Sequence, residues 1–181
     1  MNMRDDIAEI LYTEEQLAEI VSRMGRQISE DYEGKNLFMI SVLKGSLIFM
    51  ADLMRAVTVP CSIDFLSVSS YGKGTVSSGA VRILKDLDDS LEGKDLLVVE
   101  DILDSGVTLS FLLKNLSARN PRSIRLCTLL DKPERRKVDI RPDYVGAEVP
   151  DEFIVGYGLD YAEKYRNLPY IGVLKPEVYA G

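Results

Sequence analysis

The stretch LLVVEDILDSGVTLSFLL, Leu96 to Leu113, sets three carboxylates between an aliphatic run and a helical repeat. Leu96 to Val99, aliphatic and bounded by charge on both sides, read as a strand buried on both faces of a parallel sheet. Leu109, Leu112, Leu113 and Leu116 recur at i, i+3, i+4 and i+7, one face of a helix. The unit is strand, short loop, helix. In open α/β sheets ligands bind at this place, outside the carboxyl ends of the strands.

Working outward, the neighbouring segments repeat the pattern. TEEQLAEIVSRMGRQI opens with a capping box, Thr13 with Gln16, and puts Leu17, Ile20, Val21, Met24 and Ile28 on one helical face. NLFMISVL (Asn36 to Leu43) reads as a buried strand, KGS as its turn and LIFMADLMRAV as the next helix. SIDFLSVSS and GAVRILKD read as half-exposed strands of a long-looped hairpin around the Gly/Ser loop YGKGTVSSG. RSIRLCTLL is a further strand. The fold class expected is α/β, a mostly parallel central sheet with helices on both faces. Residues 1–181 should form one domain. Its hood of short strands is expected from the N-terminal residues and from roughly 143–181, a Val-, Tyr- and Gly-rich stretch with few helical signals.

Composition narrows the chemistry. The chain has 181 residues, 46% hydrophobic and 28% charged, enough for one proper core. It shows no apolar run near the ~18 residues of a membrane span and no cleavable signal, so the expectation is a cytoplasmic protein without a membrane partner. The net charge of −7 argues against a nucleic-acid surface. The two cysteines, Cys61 and Cys127, sit in apolar segments and read as small buried hydrophobes. Histidine is absent, which removes Ser-His-Asp and Cys-His schemes and every His-ligated metal site. A general base must therefore be Asp, Glu, Lys or Tyr.

The opening stretch then separates into two receptors. Asp104, Ser105, Gly106, Val107 and Thr108 form a loop entering a helix, where free N–H groups and two hydroxyls can cradle a phosphate. Glu100 and Asp101 are acceptors when ionised, suited to the vicinal hydroxyls of a ribose or to Mg²⁺. A 5′-phosphorylated ribose carries both matching groups, and Asp104 lies between them. An ordinary Asx-type turn with acidic residues favoured by the helix dipole explains the same letters. No Walker loop is present, and GKGTVSSG lacks the spacing and context of a dinucleotide fingerprint.

VVEDILDSGVTL resembles the phosphoribosyl diphosphate motif of type I phosphoribosyltransferases, and its Asp104 resembles their 6-oxopurine branch, the bacterial-type hypoxanthine-guanine enzymes. The similarity continues in order. SVLKGSLIFMADL resembles that family's first active-site loop, SSYG its second, LLDKPERR its purine-lysine segment, and PDEFIVGYGLDYAEKYRNLPYIGVL its hood. The resemblance implies transfer of phosphoribosyl from phosphoribosyl diphosphate to hypoxanthine or guanine, with Mg²⁺, giving IMP or GMP and pyrophosphate. It implies Glu100 and Asp101 on the ribose and metal, and Asp104 with Ser105 to Thr108 on the 5′-phosphate. Lys44, Gly45, Ser70, Tyr71 and Arg166 would meet the pyrophosphate. Lys132, Phe153, Ile154 and Asp160 would meet the purine, Asp160 also touching a second Mg²⁺, and Asp104 would handle the base's proton. In this family the Leu43–Lys44 peptide is often cis, the Ser69–Gly79 loop would act as a lid, and dimers or tetramers are usual. A sister transferase for xanthine, adenine or orotate would keep the phosphoribosyl motif and change the hood. A regulator sensing phosphoribosyl diphosphate would need a nucleic-acid surface.

Overall fold

A computed structural model describes residues 2–70 and 81–180. Its main sheet contains β2 (Leu37–Leu43), β3 (Cys61–Ser70), β4 (Val81–Lys85), β5 (Asp95–Leu103), β6 (Ser123–Asp131) and β7 (Tyr144–Glu148), in the order β4-β3-β2-β5-β6-β7. All neighbours run parallel except β3 and β4, which pair antiparallel as the expected hairpin.

Side-chain alternation explains why both faces are covered. Leu37 and Met39 of β2 and Leu97 and Val99 of β5 enter one core, with Leu17, Val21, Met24 and Ile28 of α1 (Glu14–Asp31) and Phe49 and Leu53 of α2 (Leu47–Ala56). The intervening Phe38, Ile40, Leu96 and Val98 enter a second core with Leu109, Leu112 and Leu116 of α3 (Val107–Ser117). A period of two in the strands and of three to four in the helices puts apolar residues on each contacting surface. Each fully buried Leu or Val contributes about 1.5–3 kcal/mol. The Thr13 capping box is formed, with the hydroxyl accepting Gln16 N–H at 3.2 Å and Gln16 Oε1 accepting Thr13 N–H at 2.9 Å. Cys127 is buried and Cys61 half-buried, both as free thiols.

A second sheet joins the two ends of the chain: β1 (Ile7–Tyr12), β9 (Ile171–Leu174) and β8 (Ile154–Val155), in the order β1-β9-β8, all antiparallel. Tyr165 Oη donates to Asp6 at 2.8 Å and Lys175 Nζ to the Asp5 carbonyl at 2.6 Å, tying the termini together. The stretch assigned to the hood from residue 143 is divided. Tyr144–Glu148 extends the main sheet beside β6 because Tyr144 and the β6 residue Cys127 share the α1-side core. The tail also contains one short helix, α4 (Pro176–Tyr179). Among the described residues no helix is long and apolar enough to cross a membrane.

The sheet order creates a topological switch. From β2 the chain moves outward through α2 to β3, whereas β5, on the other side of β2, leads away through α3 to β6. The turns leaving β2 and β5 therefore diverge from neighbouring strand ends. A crevice opens at such a point.

Candidate active site

At the β5 end, Glu100 and Asp101 are half-buried and lie against each other, the Glu100 carboxylate accepting Asp101 N–H at 3.2 Å. Burial first, and the neighbouring Asp101 charge second, hold the Glu100 carboxyl well above the usual carboxylate range. Burial pushes Asp101 up as well, against the hydrogen bonds it accepts from Glu100 and from Ile102 N–H, the latter at 2.7 Å. The Arg166 guanidinium pulls Asp101 the other way but does not offset burial. Both expected receptors of the ribose thus sit at one strand end.

The next turn carries Asp104 to Gly106. Gly106 has φ +79°, and a Cβ there would lie 2.6 Å from Ile140 Cγ2, so the turn demands glycine by conformation and by space. As N-cap of α3 it supplies no side-chain acceptor, and no acidic residue stands in the first helical turn. Ser105 Oγ accepts the Val107 N–H at 3.4 Å, and beside this helix start lies a hollow of about 130 Å³ lined by Glu100, Asp104, Ser105, Gly106 and Thr108. Positive partial charge at a helix start suits an anion. Val107, at the first helical position, is exposed.

The turn after β2 meets this acidic end directly. The Leu43–Lys44 peptide is cis. Buried Ser46 anchors the turn, its hydroxyl meeting Ser41 Oγ at 2.8 Å and donating to the Val42 carbonyl. A Cβ on Gly45 would fall 1.9 Å from Asp101 Oδ2, and one on Gly158 (φ +102°) 2.2 Å from the Gly45 carbonyl oxygen. The Gly45 backbone is thus wedged between the β5 carboxylates and a hood turn. Lys44 Nζ lies 2.9 Å from Glu163 Oε2. Arg166 donates to the Gly158 carbonyl at 2.7 Å and pairs with Asp160 at 3.0 Å and Glu163 at 3.2 Å. Of the expected lid, Ser69 and the Ser70 backbone end β3, whereas residues 71–79 and the Ser70 side chain lie outside the described residues.

A separate cavity of about 420 Å³ opens between the sheet and the hood, with Ile102, Asp104, Lys132, Phe153, Ile154 and Asp160 on its wall. Lys132 is buried, and its ammonium donates to the Glu152 carbonyl at 2.8 Å, leaving two further donor positions. Phe153 stacks on Tyr179 at 4.8 Å and meets Tyr161 edge-on at 5.3 Å. Asp160 pairs with Arg166 and accepts Glu163 N–H at 2.9 Å. Among the described residues no three Asp, Glu or Cys side chains gather as a metal cage.

Three contributors were not legible beforehand. Arg135 pairs with Asp104 at 3.2 Å, Glu163 bridges Lys44 and Arg166, and Tyr179 backs Phe153. A fourth contributor, Ser41, does carry a signal of its own, a polar residue inside an otherwise apolar strand.

Comparison with known proteins agrees with this geometry. The phosphoribosyl transferase domain family matches residues 8–162. A hypoxanthine-guanine phosphoribosyltransferase of Bacillus subtilis is 55% identical over 177 residues, 98% of each chain. The bifunctional protein TilS/HprT of Listeria monocytogenes is also 55% identical over 99% of this chain, which spans 28% of that relative's length. The crystal structure of a hypoxanthine phosphoribosyltransferase from Staphylococcus aureus superposes with a TM-score of 0.96 at 53% identity, covering 99% of this chain and 97% of that one. With a matching domain over most of its length and full-length relatives above half identity, the chain belongs to the phosphoribosyl transferase family, in its hypoxanthine-guanine branch.

Proposed function

We propose that the chain, as one domain in the cytoplasm, transfers the 5-phosphoribosyl group of phosphoribosyl diphosphate to hypoxanthine or guanine. The products are IMP or GMP and pyrophosphate. The observation that carries this reading is the convergence at one sheet edge of a helix start with a glycine N-cap, a half-buried carboxylate pair and a cavity walled by Lys132.

In this reading the N–H groups and hydroxyls of Ser105 to Thr108 hold the 5′-phosphate, and Glu100 and Asp101 hold the ribose hydroxyls. The same carboxylates fit Mg²⁺, since their raised proton affinity marks a place where positive charge is wanted. One or two carboxylates with substrate oxygens and water complete such a site without a protein cage. When bound, the ion neutralises charge on the diphosphate. Lys44, Arg166 and the Gly45 backbone take up the negative charge that grows as the C1′–oxygen bond breaks. Purine N9 bonds to C1′, and Asp104 receives the proton shed from N7. Lys132 donates to O6, Phe153 covers the ring, and the backbone near Ile154 and Asp160 reads its far edge. Exposed Leu47 and Ile48 on α2 support association of copies of the chain, which sedimentation would measure.

The test is direct. Protein with Mg²⁺ and phosphoribosyl diphosphate is offered hypoxanthine, guanine, xanthine and adenine separately, and pyrophosphate release is followed. Release with the first two is the expected result, and none with any base would overturn the reading.

A further inference from the structure

The turn from Tyr161 to Lys164 is closed by reciprocal backbone hydrogen bonds of 3.2 and 3.0 Å, with Ala162 at φ +51° and Glu163 at φ +63°. This two-residue turn with both central positions left-handed favours Asn and Gly. Ala-Glu is a poor fit to it. A Gly or Asn would serve the backbone better, so the long carboxylate at 163 calls for another explanation. Its side chain is 64% exposed, and exposed ion pairs contribute little to folding. What it does have is two cations. Oε2 lies 2.9 Å from Lys44 Nζ and Oε1 lies 3.2 Å from Arg166 NH2. These cations come from opposite sides of the crevice, one from the β2 turn and one from the hood.

We propose that Glu163 is a specificity-determining residue of the diphosphate site: its carboxylate sits as an internal anion between Lys44 and Arg166 and must be displaced when a diphosphate enters. This rests on reading Lys44 and Arg166 as diphosphate contacts. The charge complement is already met without ligand, first by Lys44 and then by Arg166, which together hold the Glu163 carboxyl below its usual range. An incoming diphosphate carries more negative charge and more acceptor oxygens than one carboxylate, so it wins the two cations. A lone anion of single charge competes on near-equal terms. Glu163 therefore filters against weak anions and, by reclaiming both cations, hastens departure of the leaving group.

The direction of the effect decides the matter. Wild type and Glu163→Gln, the variant keeping size and turn, are titrated calorimetrically with magnesium pyrophosphate, with thermal unfolding as a check on folding. An internal competitor predicts binding about 3- to 10-fold tighter in Glu163→Gln, the scale set by two exposed ion pairs. Added salt should shrink that gap. Unchanged or weaker binding would overturn the proposal and make Glu163 a bystander or a positioning residue. A third titration, of Lys44→Gln, separates the premise from the proposal. If Lys44→Gln bound pyrophosphate as wild type does, the reading of the cations would fail and the proposal with it. If Lys44→Gln bound more weakly while Glu163→Gln bound no tighter, only the proposal would fail.

Discussion

Arg135 meets Asp104 through Nε at 3.2 Å and Asp151 through NH1 at 3.4 Å, so the proposed proton acceptor starts inside an ion pair. That pair orients one carboxylate oxygen and leaves the other for the base. Asp104→Asn should lower turnover by ~10²–10⁴-fold, the usual worth of a general base, while phosphoribosyl diphosphate still binds. Steady-state kinetics with a separate binding titration check both halves. Glu100 supports a pH prediction at the same scale. Its folded carboxyl keeps a proton at pH values where an unfolded glutamate, near 4.5, has lost it. The folded state then binds more protons than the unfolded state, and stability falls as pH rises from about 4.5 through the raised folded value. The unfolding midpoint of the ligand-free protein should decline over that window, and Glu100→Gln should flatten the decline. At neutral pH, Mg²⁺ should raise the midpoint of wild type more than that of Glu100→Gln.

Elements explain why much of this could be read from letters. β5 and α3 are written in local periodicities, and the capping box of α1 lies within four residues. Contacts between remote segments have no such signature. The N-terminal residues are expected in the hood, but nothing in Ile7–Tyr12 announces its register on β9, more than 150 residues away, and nothing in DSG announces Arg135. The same holds for Gly45, whose letter says turn but whose reason is the Asp101 carboxylate. A Cβ there, 1.9 Å from Asp101 Oδ2, would push the β2 turn off the acidic strand end. Gly45→Ala should therefore lower kcat/KM for phosphoribosyl diphosphate by roughly 10- to 10²-fold, the effect of a misplacement near 1 Å. The unfolding midpoint should move little, because the turn lies outside both cores. A large loss of stability with normal kinetics in the surviving enzyme would contradict this account.

At the scale of the whole molecule, the proposed base cavity belongs to neither sheet alone. Lys132 follows β6 of the main sheet, while Phe153 precedes β8 of the small sheet, which is held through β9 to β1. The Lys132 ammonium is fixed across this junction by its 2.8 Å bond to the Glu152 carbonyl. It is therefore a donor held in place rather than a chain free to withdraw. Hypoxanthine and guanine present an acceptor oxygen at C6, whereas adenine presents an amino donor that would face the ammonium. A site built to hydrogen-bond one group can reject the wrong one by about 10⁴-fold or more, so adenine should give no measurable pyrophosphate release. Xanthine keeps O6 and differs only at C2, where backbone groups near Ile154 and Asp160 are proposed to meet it, so it should be a weak substrate. Lys132→Gln supplies both a donor and an acceptor, and should cut hypoxanthine use while narrowing the gap to adenine. The ratio of kcat/KM values for hypoxanthine and adenine, measured in both proteins, is the readout. If Lys132→Gln used hypoxanthine undiminished, selection at C6 would have to come from the hood alone, and the junction between the two sheets would carry no part of it.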